Sequence, residues 1–520
     1  MRWSSDMSRE EIRSVLTELA SRVWGPERRQ AQSGSIEQAA FALWTVLQVP
    51  LSPLSEEPDL PVLVSRAGGG QVMELHELTA SAAVRAMCDG EISPVEMVQA
   101  LLARIESTEL QVQAWEALDA EGALATAKLL ESRRRERHSL GILYGLPVGL
   151  KDVFHVRGLP TTANFEPYRG QVAGEDSGVA QHLREAGAII LGKTVTVQFA
   201  SGPGSPKTRN PWNLNLSPGG SSSGSGAAVG ARHVPAAIGT QTGGSTLRPA
   251  AFCGVVGFKP TFGRISRYGL FPVSWTLDHP AVIARSVADA ALLLQALARH
   301  DERDPYSARQ GTEDFVAAAS APSHPPRLGL VLDLVERAEP PVREAALAAS
   351  QRLANAGAEV REVRLPFDVD LILSVWYLIC VPEQAAVQAE QHARLADYYY
   401  PKLRADIEVG QLLPAAAHLQ AKRLQRRLRE KMADMVGSFD ALIAPTAPSL
   451  PKDPSMGTGD PSFQKVWTLF GFPIVSVPTM LSSDRLPHGI QIVGGLFREQ
   501  HLLQVASWCE SVLGPMEAPF

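Results

Sequence analysis

The sequence predicts an α/β protein whose sheet is largely buried. Segments with helical periodicity alternate along the chain with short runs that are mostly or entirely apolar, such as residues 188–192, 328–332 and 474–478. Apolar runs of this kind are typical of strands covered on both faces, and their alternation with helices is typical of α/β folds. The chain has 520 residues, of which 45% are hydrophobic and 20% charged, so a sizeable core is easily buried.

Residues 1–65 are predicted to form a small helical extension with a linker. Residues 8–24 place apolar side chains on one helical face, and Ser8 is a suitable N-cap. A second helix is predicted over residues 35–47, and residues 49–70 are rich in Pro, Ser, Glu and Gly, as linkers are. The extension is interpreted as a docking segment on the main domain, and a separate partner-binding module is the alternative.

The catalytic domain is predicted to span residues 70–514. Its clearest helix start is Ser93 as N-cap followed by Pro94 and, at the third helical position, Glu96. Residues 384–437 are charged and predicted to form a helical surface region. Further helices are predicted at 121–136, 179–186, 286–298, 342–356 and 501–513, and further strands at 358–363 and 441–445.

Charge and composition argue against several classes of function. A formal net charge of −6 implies no basic face and no nucleic-acid partner. No run approaches the roughly 18 apolar residues that span a bilayer, and the N-terminus has no apolar signal segment. The four cysteines form no metal or redox motif, which predicts reduced thiols, a cytoplasmic location and no metal site.

Residues 217–263 are the most informative segment of the chain. It holds two Gly/Ser clusters, residues 219–226 and 243–245, between apolar segments. A flexible linker lacks such apolar flanks, so the clusters are predicted to be tight loops between buried elements. Loops of this kind expose backbone N–H groups that can bind an anion or stabilise an oxyanion.

Three side chains are candidates for a nucleophilic site. Ser221 and Ser245 lie in the two clusters, and Lys151 directly follows a mostly apolar run. A partly desolvated lysine has a lowered pKa and can act as a base toward serine. Beside Ser245, residues Thr242, Gly243 and Gly244 offer consecutive N–H donors, each worth about 2.7–4 kcal/mol in an oxyanion hole. The alternatives are a surface lysine at a strand end and serines with structural roles.

Three other motifs are weighed and set aside. Residues 220–224 match GxSxG, but the preceding residues are polar rather than a strand. Residues 449–452 match SxxK, but Pro451 breaks the helical turn that this motif uses. The Gly-rich loop also lacks the GKS or GKT of a nucleotide-binding P-loop.

Several ordered motifs resemble the amidase signature family. The matching segments are GLPVGLKD, SPGGSSSGSGAAV, GTQTGGS, PAAFCGVVGFKPTFGRIS, SVADAALLL and LPHGIQIVG, within roughly residues 74–514. The resemblance implies a central mixed, twisted β-sheet covered on both faces by helices. It also implies an amidohydrolase acting on linear amides, that is, on C–N bonds other than peptide bonds, without a cofactor.

The resemblance also implies a role for each candidate residue. Ser245 is the expected nucleophile, and Ser221, after a cis peptide bond, is the expected bridging serine. Lys151 is the expected neutral base, and Thr242, Gly243 and Gly244 are the expected oxyanion hole. Together they form the Ser-cisSer-Lys triad and its anion site, through which an acyl-enzyme forms and water releases the acid.

Two departures from the commonest pattern bear on the substrate. Gln241 stands where Asp is usual, and Leu247 stands where Arg is usual, with Arg248 one residue later. This form resembles the malonamidase and biuret-hydrolase branch and argues against the amidotransferase subunit that works on glutaminyl-tRNA. Arg248 either binds a substrate carboxylate or ties the loop together.

The expected function is amide hydrolysis of a small molecule. A carbamate or aryl-amide hydrolase of the urethanase type, with a broad pocket, is the first alternative. A non-catalytic or assembly subunit of an amidase complex, suggested by the N-terminal helices, is the second. The N-terminal extension also resembles a small helical protein that accompanies some biuret-pathway amidases, which implies a fused version of that partner. The working expectation for assembly is a homodimer.

Overall fold

A mixed eleven-stranded sheet runs through the protein, and helices pack around it. The computed structural model describes residues 7–24, 29–30, 32–48, 74–136, 140–202, 204, 207–311, 313–321 and 324–519. Strands β2 to β6 and β9 are buried at every position, as their apolar sequences predict. The predicted α/β class is confirmed.

The strands are β1 (Trp115–Leu118), β2 (Pro147–Lys151), β3 (Ile189–Thr194), β4 (Ala236–Gln241), β5 (Val256–Lys259), β6 (His279–Ala284), β7 (Arg327–Val331), β8 (Glu359–Val363), β9 (Ala441–Pro445), β10 (Ile474–Leu481) and β11 (Pro487–Val493). The α-helices are α1 (Arg9–Trp24), α2 (Ser33–Leu47), α3 (Ala80–Asp89), α4 (Pro94–Val112), α5 (Ala120–Arg135), α6 (Gly178–Glu185), α7 (Ser223–Gly230), α8 (Leu247–Phe252), α9 (Val287–Leu297), α10 (Phe315–Ser320), α11 (Leu332–Glu336), α12 (Pro340–Asn355), α13 (Val369–Val387), α14 (Ala389–Leu395), α15 (Pro401–Leu412), α16 (Ala415–Gly437), α17 (Ser462–Thr468) and α18 (Glu499–Leu513).

The strand order places Lys151 close to the second Gly/Ser cluster. It reads β1-β3-β2-β4-β6-β5-β10-β11-β9-β7-β8, and β2 pairs with β4 in parallel, with Leu150 opposite Ile238. Parallel neighbours end at the same edge of a sheet. Lys151 at the end of β2 therefore lies beside the segment that follows Gln241 at the end of β4.

The two N-terminal helices pack on the main body. Helix α1 lies against α2, and α2 contacts α13, α15 and α16. Leu16 and Leu43 are almost completely buried in this contact, and Gln32 donates a hydrogen bond to Glu408 at 3.0 Å. The predicted linker over 49–70 lies outside the described residues, and the division of the chain into two domains stays a prediction.

Helix α13 differs from the expectation for this part of the chain. The sequence predicts surface helices over 384–437 and no long apolar run, yet α13 starts at Val369 and is the one described helix with the length and hydropathy of a membrane span. Of its apolar window, 67% is buried inside the protein, as in a core helix. It is buried because α2, α15 and α16 all pack against it.

Candidate active site

The first Gly/Ser cluster is partly a loop and partly the start of a helix. Gly219 has a φ of +79°, which favours glycine, and the peptide bond between Gly220 and Ser221 is cis. Helix α7 then begins at Ser223, so the prediction of a loop through residue 226 is wrong for its second half. A Cβ on Gly224 would lie 2.2 Å from the carbonyl oxygen of Ala114, so the small residues here permit close packing of the backbone.

Lys151 is fully buried and contacts two hydroxyl groups. Its Nζ donates hydrogen bonds to the Oγ of Ser221 at 2.7 Å and to the Oγ1 of Thr240 at 2.7 Å. Burial holds the pKa of Lys151 well below its usual value, and the negative charge of Asp278 opposes this only partly. The neutral amine is therefore favoured at this position.

The surroundings of Lys151 differ from those of the other buried lysines. Lys193 forms an ion pair with Asp152 at 2.8 Å. Lys259 donates to the carbonyl oxygens of Phe472 and Pro260. Lys151 instead has hydroxyl partners and no carboxylate within 4.0 Å among the described residues, which leaves it able to exchange a proton with a serine.

Ser245 borders the same cavity as Ser221. The backbone N–H of Ser222 donates to the carbonyl oxygen of Ser245 at 3.0 Å, so the two serine loops are tied directly to each other. Within the described part of the chain, the Ser245 hydroxyl forms no hydrogen bond, including none to the Ser221 hydroxyl. The structure thus brings Lys151 and Ser221 into contact and places Ser245 beside them on an open cavity.

At the second Gly/Ser cluster, the backbone carbonyl oxygens of residues 242–244 each accept a hydrogen bond. Trp376 Nε1 donates to the oxygen of Thr242 at 2.8 Å, Thr468 Oγ1 to that of Gly243 at 3.0 Å, and the N–H of Arg248 to that of Gly244 at 3.1 Å. In a trans peptide group, the C=O of one residue and the N–H of the next residue point in opposite directions. The N–H groups of Gly243 and Gly244 form no hydrogen bond with any described residue, and both glycines line the cavity.

Asp278 and Gln241 support this loop, and sequence reasoning missed the first of them. Asp278 accepts from the Thr242 hydroxyl at 2.5 Å and from the N–H groups of Val273 and Ser274. Gln241 accepts from the N–H groups of Thr246 and Leu247, both at 3.1 Å. It also donates to Thr468 at 3.0 Å, which a carboxylate in its place could not do. Asp278 carries no local motif that would have marked it.

Arg248 is buried between the two loops. Its Nη2 donates to the carbonyl oxygen of Gly220 at 2.6 Å and to the hydroxyl of Thr458 at 3.1 Å. Its Nε and Nη1 have no partner among the described residues although both are buried, and burial lowers its pKa to about 10. The arginine therefore ties the serine loops together and still has two donors unused.

The cavity has a volume of about 280 Å³, which suits a small molecule. Most lining residues fall within 160–210, 270–280 and 375–470, and Gln38 of the N-terminal helix α2 joins them at the rim. No group of three or more metal-ligating side chains occurs in the described ranges. Lining residues that the sequence reasoning did not name include Trp376, Tyr377, Asp406 and Lys465.

Comparisons with known proteins cover most of the chain. A glutamyl-tRNA(Gln) amidotransferase subunit from Chloroflexus aggregans (strain MD-66 / DSM 9485) is 36% identical over 467 residues, which cover 83% of this chain and 96% of that protein. A solved chain from the vestigial protein complex that reveals the evolutionary origins of an s-triazine catabolic enzyme has a TM-score of 0.79 at 28% identity and covers 85% of this chain and 100% of its own. Native peptide amidase from Stenotrophomonas maltophilia has a TM-score of 0.76 at 29% identity, with 85% and 98% covered. Residues 96–503 match the Amidase family profile. The chain thus belongs to the amidase family, the amidase signature family that its motifs indicate.

Proposed function

We propose that this member of a family of C–N hydrolases is an amidase that cleaves a small amide through an acyl-enzyme on Ser245. The observation that carries the proposal is the contact between Lys151 Nζ and Ser221 Oγ at 2.7 Å, beside the cavity that Ser245 lines. A serine hydroxyl needs a base to become a nucleophile, and a buried neutral amine is a suitable one.

In this proposal Ser221 carries the proton between the nucleophile and the base. As Ser245 Oγ attacks the amide carbonyl, its proton passes to Ser221, whose own proton passes to Lys151 Nζ. The proton then returns by the same route to the leaving amine as the C–N bond breaks. Water next attacks the acyl-enzyme and passes a proton through Ser221 to Lys151. That proton returns to Ser245 Oγ as the ester bond breaks and the acid is released. Lys151 begins and ends the cycle as a neutral amine, consistent with its lowered pKa.

The backbone donors of residues 242–244 would bind the oxyanion that forms during attack. The unpaired N–H groups of Gly243 and Gly244 support this role, because donors held in place before reaction pay no reorganisation cost. Thr242 would contribute its N–H as the third donor. The hydrogen bonds behind the loop would keep these groups aimed into the cavity.

Arg248 is proposed to bind the substrate, and its unused Nε and Nη1 support a carboxylated amide of the kind expected for the malonamidase and biuret-hydrolase branch. The relatives named as amidotransferase subunits favour the alternative of a subunit in a larger complex. The carbamate alternative rests on the chemistry alone, because the same acyl transfer serves amides and carbamates.

A substrate panel tests the proposal. Primary amides, anilides and carbamates would be assayed with the wild type, with Ser245→Ala and with Ser511→Ala, an exposed control serine. We expect turnover of at least one amide by the wild type and the control, and loss of at least about 10³-fold in Ser245→Ala. Full turnover by Ser245→Ala would contradict the mechanism. Turnover of carbamates alone would favour the urethanase alternative, and no turnover of any substrate would favour the subunit.

A further inference from the structure

Lys465 is a cation beside the loop of residues 242–245, and no described residue forms an ion pair with it. It lies on α17, lines the same cavity as Ser245, and its Nζ lies 3.6 Å from the centroid of the Trp376 ring. Among the described residues no carboxylate lies within 4.0 Å of this Nζ. The proposed mechanism has no step that uses this ammonium group.

Lys465 and Trp376 both pack against the loop of residues 242–245. A Cβ on Gly243 would lie 3.3 Å from Lys465 Cε and 3.4 Å from Trp376 Cζ2, so both side chains lie close to this glycine. Trp376 is held in turn by its hydrogen bond to the oxygen of Thr242. A substrate group bound at Lys465 would therefore sit next to the carbonyl under attack.

Two cations face the cavity in close proximity. Arg248 lines the same cavity, and its buried Nε and Nη1 have no hydrogen-bond partner among the described residues. Burial, with a smaller contribution from the charge of Arg248, lowers the pKa of Lys465 to about 8. The neighbouring Asp460, Asp406 and Cys380 oppose that shift, and Asp406 is itself paired with Lys402. Two incompletely neutralised cations in a confined site are relieved by an anion.

We propose that Lys465, supported by the Trp376 ring, binds an anionic group of the substrate that is separate from the amide being cleaved. The substrate class is then a small monoamide that carries a carboxylate, held between Lys465 and Arg248. This inference rests on the proposed function and adds a specificity residue to it. The aromatic ring keeps the ammonium group in place without neutralising it, so its charge remains available to a ligand.

A matched pair of substrates tests the anion site. Succinamate carries a carboxylate, and butyramide is a neutral amide of the same chain length. We expect Lys465→Met to lower kcat/KM for succinamate by about 10–100-fold, mainly through KM, because a charge-assisted hydrogen bond is lost. For butyramide the change should stay within about threefold. Lys465→Arg should keep the preference for succinamate, and Lys431→Met, at an exposed lysine, should change neither substrate.

Binding without turnover separates this proposal from the catalytic one. The affinity of succinate would be measured by calorimetry in Ser245→Ala and in Ser245→Ala combined with Lys465→Met. We expect at least tenfold weaker binding in the double variant. This result would support the anion site even if no amide were hydrolysed. Equal losses on both substrates, or succinate affinity unchanged by Lys465→Met, would overturn the proposal whether or not the enzyme is an amidase.

Discussion

The amine nitrogen of Lys151 lies 2.7 Å from the hydroxyl of Thr240, on the strand that leads into the loop of residues 242–245. This bond connects the end of β2 to the end of β4 and gives the amine a second acceptor besides Ser221. Thr240 is itself held by Ser222, whose Oγ accepts from the Thr240 N–H at 3.2 Å. The orientation of the lysine thus depends on a residue that lies in none of the three catalytic positions.

Substitution Thr240→Val should lower kcat by about tenfold with little change in KM, because the amine loses one hydrogen bond that orients it toward Ser221. Thr240→Ser retains the hydroxyl and should retain most of the activity. Steady-state kinetics on one amide substrate would measure both variants. Equal activity in Thr240→Val and the wild type would show that Ser221 alone orients the lysine.

The pH dependence of activity should have an acidic limb set by Lys151. Burial lowers its pKa, so the active neutral amine is lost only when the pH falls below this lowered value. We expect kcat/KM to rise with pH through that limb and then level off, and Lys151→Arg, charged at every working pH, to be inactive throughout. A profile that rises on acidification would contradict the assignment of Lys151 as base.

The same burial predicts a pH-dependent stability. Between the lowered pKa of Lys151 and its unfolded value of about 10.4, the unfolded chain binds one more proton at this site than the folded chain does. The contribution of Lys151 to stability should therefore increase with pH over that window. Melting temperatures of the wild type and Lys151→Met at several pH values would show the variant gaining most at low pH.

Substitution Asp278→Asn should move the acidic limb to lower pH. The carboxylate raises the pKa of Lys151 electrostatically, so removing its charge lowers that pKa further. The amide oxygen can still accept from Thr242, but the amide NH2 cannot accept from the N–H groups of Val273 and Ser274, so Asp278→Asn should also lower kcat by a few-fold. Asp278→Ala loses all three hydrogen bonds and should lower kcat by about tenfold or more. Complete pH profiles of both variants would separate the charge from the hydrogen bond.

The packing of the N-terminal helices can be measured through Leu43. This side chain is completely buried in α2, so Leu43→Ala should destabilise the protein by about 2–5 kcal/mol. Leu110, which is 92% exposed on α4, provides the control, and Leu110→Ala should change stability by less than about 0.5 kcal/mol. Thermal unfolding of both variants would make the comparison. Equal melting temperatures would mean that α2 adds little to the stability of the fold.

The sequence was most informative where the chemistry is written in consecutive residues. Ser221 and Ser245 stand in clusters of small residues, and Lys151 ends an apolar run, so their special surroundings were visible locally. The buried strands were equally visible, because a strand covered on both faces must be apolar throughout. The start of α7 at Ser223 was missed because glycine and serine have low helix propensity, and packing overrides propensity here.

Residues that contact the site from distant parts of the sequence could not be predicted from local residue patterns. Asp278, Trp376 and Lys465 reach the nucleophile loop from elements 30 or more residues away in sequence, and each stands alone in its own segment. Similarly, α13 is buried because α2, which precedes it by more than 300 residues, and α15 and α16, which follow it, all pack on it. Local residue patterns specify which segments are strands, helices and reactive loops, because those depend on neighbours along the chain. The partners of Lys151, the aim of the backbone donors and the charge of the cavity depend on strand order and long-range packing, which bring together side chains that no local pattern connects.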